Sequence, residues 1–287
     1  MIELRDIHCV HLGTRDLDAA EEFCTEIVGL QSIKRTDTHL YLRAGKRHHS
    51  VCYFKGEPGD HRIAFELMDW KGLEKAMVYL KGSGIECGYG TDAESELRFT
   101  HAFGWFKDPT GNHIELWVRP TEANRPYHPS LRPTGITGFG HIGLNTTDPL
   151  RDQNFWLEHF NARISDWIGP APLLRVKQTH HQFALFPTSG PGIQHINHQV
   201  DTIDDLLKFV YHLQERNIKI VFGPGRHATS GGYFLYFEGL DGMVYEFSTS
   251  DRMIIEDDAT HRPRQFALED ESFCLFGSKP DIAEFAS

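Results

Sequence analysis

Gly140-His141-Ile142-Gly143-Leu144, closed by Thr146-Thr147-Asp148-Pro149, repeats an earlier stretch, Ile7-His8-Cys9-Val10-His11-Leu12 followed by Thr14-Arg15-Asp16-Leu17, 132 residues upstream when Asp148 is set against Asp16. Three further pairs keep nearly the same distance. His48-His49-Ser50-Val51-Cys52-Tyr53-Phe54 matches His180-His181-Gln182-Phe183-Ala184-Leu185-Phe186, again 132 apart at His49 and His181. His61-Arg62-Ile63-Ala64-Phe65-Glu66 matches His195-Ile196-Asn197-His198-Gln199-Val200 at 134, and His113-Ile114-Glu115-Leu116 matches Val244-Tyr245-Glu246-Phe247 at 131. Four matches in one order at near-constant distance define a tandem duplication.

Inside each half a strand, a helix and several short strands follow one another twice. From His195 the order is a short strand, a helix over 202–216 started by Thr202 and Asp205 with Ile203, Leu206, Leu207, Val210 and Leu213 on one face, then strands at 219–222, 233–237 and 243–247. From His61 the same order gives a helix over 71–81 and strands near 103–106 and 112–118. The pattern predicts an α+β fold of two tandem domains, each made of two βαβββ modules. Residues 1–120 form the first domain and 136–250 the second. The intervening 121–135 follow Pro120 and carry Pro126, Pro129 and Pro133, a density that removes backbone donors and predicts an extended linker. Residues 251–287 fall outside the repeat and mix acidic runs with Phe266, Phe273, Leu275 and Phe276, a tail able to close over a site opening or to pack on the surface.

The 287 residues carry 29 Lys+Arg against 40 Asp+Glu, a net charge of -11, with no basic cluster. Nucleic acid and anionic membrane are therefore excluded as partners, since both reward clustered cations. No basic-then-apolar leader and no run of membrane-spanning length is present, and five cysteines without CxxC spacing fit reduced thiols. A cytoplasmic protein is expected. Histidine is the outlier, with 18 in the chain. Imidazole is the commonest metal ligand and titrates near neutral pH.

His141, His195 and Glu246 each fall inside a predicted strand of the second half. Two imidazoles and a carboxylate on one side of a metal, with the opposite positions open, are what a non-haem Fe(II) oxygenase needs. Around them lies Gly223-Pro224-Gly225-Arg226-His227, then Tyr236-Phe237, Asp241-Gly242 and Glu246. This arrangement resembles the type I extradiol ring-cleavage dioxygenases of the vicinal oxygen chelate superfamily, and the resemblance spans nearly the whole chain. It implies cupped mixed sheets in both domains and Fe(II), or Mn(II) in its place, held by His141, His195 and Glu246. His181 is implied as acid/base, with His227 and Tyr236 hydrogen-bonding substrate, and O2 as co-substrate. His198 competes with His195 as a ligand, but three positions along a strand it points to the other face. The family's usual Asp-Pro before the last turn is Gly239-Leu240 here, although the first half keeps Asp108-Pro109.

The activity implied is cleavage of a catechol ring beside its two hydroxyls, in aromatic degradation, by a homo-oligomer. Members that take carboxylated catechols carry arginines before the Gly-Pro-Gly-Arg-His element and before a C-terminal Trp-Gly. Phe222 and, ahead of Phe276-Gly277, Ser272-Phe273 stand there instead, so a neutral alkyl- or aryl-substituted catechol is expected, with Arg262 and Arg264 the cations left to reach the site. Two alternatives within the superfamily are a glyoxalase or isomerase, which uses more carboxylate ligands, and a metal-free binding protein, which needs neither His181 nor the His227/Tyr236 pair. The first half offers His8, or Cys9 when counted from Asp16, with His61, Glu115, His48 and His49. It lacks the Gly-Arg-His element and has Trp105 in place of Tyr236, so it is read as a structural partner. The other histidines, including His39, His128, His159 and His212, are expected at the surface.

Overall fold

The computed structural model describes residues 1–128, 135–249 and 254–285. Pro129 and Pro133 of the expected linker, and the junction at 250–253, lie outside the described residues. The first module runs β1 (Asp6–Thr14), α1 (Leu17–Glu22), β2 (Gln31–Arg35), β3 (His39–Arg43) and β4 (Val51–Lys55). The second runs β5 (His61–Leu67), α2 (Trp70–Gly82), β6 (Cys87–Tyr89), an added α3 (Asp92–Arg98), β7 (Thr100–Lys107) and β8 (His113–Pro120). The third is β9 (Ile136–Thr146), α4 (Pro149–His159), β10 (Arg163–Ile168), β11 (Ala171–Arg175) and β12 (Phe183–Pro187). The fourth is β13 (Ile193–Val200), α5 (Ile203–Glu215), β14 (Ile220–Arg226), β15 (Tyr233–Glu238) and β16 (Val244–Thr249).

The Thr-x-Asp of the repeat has a local reason. Asp16 and Asp148 are the N-caps of α1 and α4, accepting backbone N–H bonds from Asp18 and Ala19 and from Arg151. Each such cap stabilises its helix by about 1 kcal/mol, so the motif marks where the first strand of each half gives way to a helix.

Modules pair through their first strands. β1 lies antiparallel to β5 and parallel to β4, giving one sheet in the order β2-β3-β4-β1-β5-β8-β7-β6. The second sheet repeats it as β14-β15-β16-β13-β9-β12-β11-β10, and β17 (Arg264–Phe266) of the tail adds a parallel strand beside β10. Trp156 of α4 joins the halves, its ring 5.6 Å from Phe65 and 4.9 Å from Phe183. α5 differs from expectation in its buried face. Leu206, Phe209 and Leu213 pack inward, whereas Ile203 and Leu207 are 39% and 42% exposed, because the stripe at spacings of three and four faces β14–β16 and leaves those two at its margin. His212 shares the buried side and reaches the Ile27 carbonyl, so it is not a surface residue.

His198 is buried beside Tyr245 and Phe139, and neither of its ring nitrogens has a hydrogen-bond partner among the described residues. Burial lowers its pKa from 6.5 to about 3. The unfolded chain therefore takes up a proton below about pH 6.5 that the folded chain refuses until about pH 3, so stability falls as pH drops through that window, by about 1.4 kcal/mol per pH unit. His198→Leu is expected to flatten this acid slope, measured as urea unfolding midpoints compared at neutral and mildly acidic pH.

Candidate metal centre and active site

Strand register carries the site residues to one face. β13 runs antiparallel to β9 with Ile196 opposite Ile142, and parallel to β16 with Asn197 opposite Glu246. β15 sets Tyr236 directly opposite Glu246. His141, His195 and Glu246 consequently meet: the facing Nε2 atoms are 3.1 Å apart, and Glu246 Oε2 lies 2.8 Å from His141 Nε2 and 3.5 Å from His195 Nε2. Ligand atoms about 2.1 Å from a shared ion stand roughly 3 Å apart, so the spacing suits a shared metal ion. All three side chains are buried. Neither Glu246 oxygen has a donor in hydrogen-bond geometry among the described residues, an arrangement that is costly unless a cation joins it. Burial alone would raise the Glu246 carboxyl, but the adjacent His141, His227 and His195 hold it well below the ordinary carboxylate value. On His195, Nδ1 bonds Gln194 Oε1, which leaves the lone pair on Nε2, the nitrogen that faces His141 and Glu246.

His181 stands next to this group, its ring 4.3 Å from that of His141. Behind it runs a chain that sequence reading missed. His181 Nδ1 lies 2.9 Å from His180 Nδ1, and His180 Nε2 lies 2.9 Å from Asp166 Oδ2. Arg264 of the tail closes the chain with Nη2 2.6 Å from the same oxygen. Burial opposes ionisation of Asp166, but His180 and Arg264 hold its pKa below the ordinary value. An ionised Asp166 accepts from His180 Nε2, which makes His180 Nδ1 an acceptor for the His181 Nδ1 proton and leaves a lone pair on His181 Nε2. The only sequence trace was the His-His doublet itself.

Asp166→Asn is expected to disturb this proton order. We expect kcat to fall about tenfold or more, with the pH–rate profile displaced and the metal content unchanged, because partners of this kind are worth 10- to 100-fold. Metal analysis beside a pH profile checks it.

His227 donates from Nδ1 to the Phe273 carbonyl at 3.1 Å, and its Nε2 faces the Tyr236 hydroxyl at 3.3 Å. These groups open on a cavity walled by Ile168, Leu173, Phe186, Phe273 and Phe285, with Thr229 at its edge. The tail thus supplies part of the wall. Among the described residues that line it there is no arginine or lysine. Arg264 is committed to Asp166 and the Thr229 carbonyl, and Arg262 bonds, among the described residues, carbonyls of its own loop.

In the first half the expected donors His8, His61 and Glu115 are not brought together. Strand register sets Ile63 opposite Val10, as Ile196 is opposite Ile142, so Arg62 and not His61 occupies the His195 position. With Val10 equivalent to Ile142, Cys9 stands at the position of His141, and His8, one residue earlier, faces Glu66. His61 bonds Asn112 instead. Glu115 keeps its place, but the Arg98 guanidinium from α3 binds both its oxygens at 2.8 and 2.9 Å, and Trp117 Nε1 adds a bond at 2.7 Å. Trp105 stands opposite Glu115 as Tyr236 stands opposite Glu246. A guanidinium thus supplies the positive charge that would otherwise come from an ion.

Two sheets of duplicated βαβββ modules, one of which gathers two imidazoles and a carboxylate on one face, define a class of protein. The chain belongs to the Glyoxalase/Bleomycin resistance protein/Dioxygenase superfamily, whose model matches residues 6–116 and again 138–247. It is 25% identical over 272 residues to a 1,2-dihydroxynaphthalene dioxygenase of Sphingobium xenophagum, covering 88% of this chain and 90% of the relative. It is 24% identical over 275 residues to an iron-dependent extradiol dioxygenase of Rhodococcus jostii, covering 88% and 91%. Among solved structures it is similar to homoprotocatechuate 2,3-dioxygenase of Brevibacterium fuscum in complex with 3,4-dihydroxyphenylacetate, with a TM-score of 0.89 at 20% identity over 99% of this chain and 93% of that one.

Proposed function

We propose that this protein is an extradiol dioxygenase that opens the ring of a neutral, apolar catechol, with Fe(II), or Mn(II) in its place, held by His141, His195 and Glu246. The observation that carries the reading is the convergence of two imidazoles and a carboxylate beneath an apolar cavity that also presents His181, His227 and Tyr236. A ferrous ion fits this donor set, and when bound it supplies Lewis acidity toward a catechol and a path for electrons to dioxygen. His181, its Nε2 lone pair set by His180 and Asp166, takes a substrate hydroxyl proton and returns it as the O–O bond breaks. His227 and Tyr236 hold the other substrate oxygen. The apolar wall excludes water, which strengthens these contacts. In balance, one ring C–C bond and the O–O bond break, and both oxygen atoms end in a ring-opened semialdehyde acid or keto acid.

A glyoxalase-type site draws on more carboxylates, and Glu246 is the one carboxylate in the described cluster. The free state of all five cysteines supports work in a reducing cytoplasm. No helix among the described residues is long and apolar enough to cross a membrane. Small catechols and a second copy of the chain remain the proposed partners.

Oxygen uptake tests the substrate class. Aryl- and alkyl-catechols are expected to show kcat/KM at least about tenfold above ring-carboxylated ones, because a carboxylate entering a wall without cations loses hydration with nothing to pair it. Equal or better turnover of the carboxylated series would overturn the assignment.

A further inference from the structure

We propose that the first domain holds a second metal ion, zinc or another borderline-soft divalent cation, on Cys9, His11 and His49. The three ligand atoms lie within 4.8 Å of one another and all three side chains are buried. The Nε2 atoms of His11 and His49 are 3.1 Å apart, the same spacing as the facing Nε2 atoms of His141 and His195 in the catalytic group. A thiolate with two imidazoles suits zinc, whereas ferrous iron favours the carboxylate set of the other half.

The site follows from how the duplicated positions diverged. Cys9 stands at the place of His141 and His49 at the place of His181, while His11, two residues along β1 from Cys9, replaces Gly143. Arg62 and the Arg98–Glu115 pair close the centre of the sheet to an ion. The donors left over gather one step aside, between β1 and the start of β4. His48 Nδ1 lies 3.1 Å from His49 Nδ1, a bond that directs the His49 Nε2 lone pair toward His11. His48 itself is only partly buried and stacks on Phe99 at 3.6 Å, which gives the cluster an edge toward solvent. Both imidazoles are buried, which favours the neutral form that binds a metal. Metal binding would displace the Cys9 proton, as thiolate ligation requires.

The test uses whole protein and does not read ring cleavage. Cobalt(II) titrated into metal-depleted protein is expected to produce a thiolate-to-cobalt charge-transfer band, which the sulfur-free His141/His195/Glu246 set cannot give. Elemental analysis of protein loaded with iron and then zinc is expected to find one zinc per chain beside the iron. Cys9→Ser and, separately, His49→Gln should each lose the band and the zinc while keeping the iron. Wild-type protein that shows no thiolate band with cobalt would overturn the proposal, as would Cys9→Ser retaining the full zinc content. In that case the 3.1 Å contact is an imidazole–imidazole hydrogen bond alone.

Discussion

Glu246→Gln is expected to abolish catechol cleavage, with turnover below about 1% of wild type, and to leave iron binding too weak to survive gel filtration. Loss of an outer partner of a metal site costs 10- to 100-fold, and removal of the proposed anionic ligand should exceed that. The variant also separates the site from the fold. In the absence of metal, Glu246 is a fully buried carboxylate held ionised by the imidazoles around it, His141 Nε2 standing 2.8 Å from Oε2. Gln is nearly isosteric and carries no charge. Because the ionised carboxylate is favoured by those imidazoles, removing it costs stability, so metal-free Glu246→Gln should melt below metal-free wild type, whereas iron should raise the melting temperature of wild type only. Calorimetry with and without iron, beside iron content per chain, measures both effects.

His181→Gln is expected to behave differently. The His181 ring lies 4.3 Å from that of His141, and His181 is not one of the three proposed ligands, so the iron content should match wild type. What disappears is a proton acceptor whose tautomer is fixed by His180 and Asp166. Positioned proton transfer contributes about 10²- to 10⁴-fold, and the loss should fall on kcat with KM changed much less. The pH–rate profile should also lose the limb that belongs to an imidazole. Steady-state oxygen uptake across pH checks this. An unchanged profile would remove His181 from the proton path.

The duplication and its module order were legible because each half repeats the same punctuation: a strand, a Thr-x-Asp cap, an amphipathic helix, and short apolar strands. The proposed ligands were legible as residues out of character, a histidine or glutamate set within an apolar strand. Two parts were not legible, for physical reasons. Strand bulges change register by one residue, so matching histidine to histidine aligned His61 with His195, although hydrogen bonding in the sheet puts Arg62 there. The chain from His181 through His180 to Asp166 and Arg264 joins β10, the start of β12 and the tail. Contacts between residues 14 and 98 positions apart leave no local pattern. Arg264, expected as a cation that could reach substrate, instead stands behind the proposed base.

The most direct test of the account is the fate of dioxygen. Anaerobically reconstituted Fe(II) protein, mixed with an aryl-catechol and isotopically labelled oxygen, should give a yellow ring-opened product that carries both labelled atoms, seen by mass spectrometry, and Glu246→Gln should give none. Metal-loaded protein that consumes no oxygen with any catechol, or a product that carries no label, would contradict it.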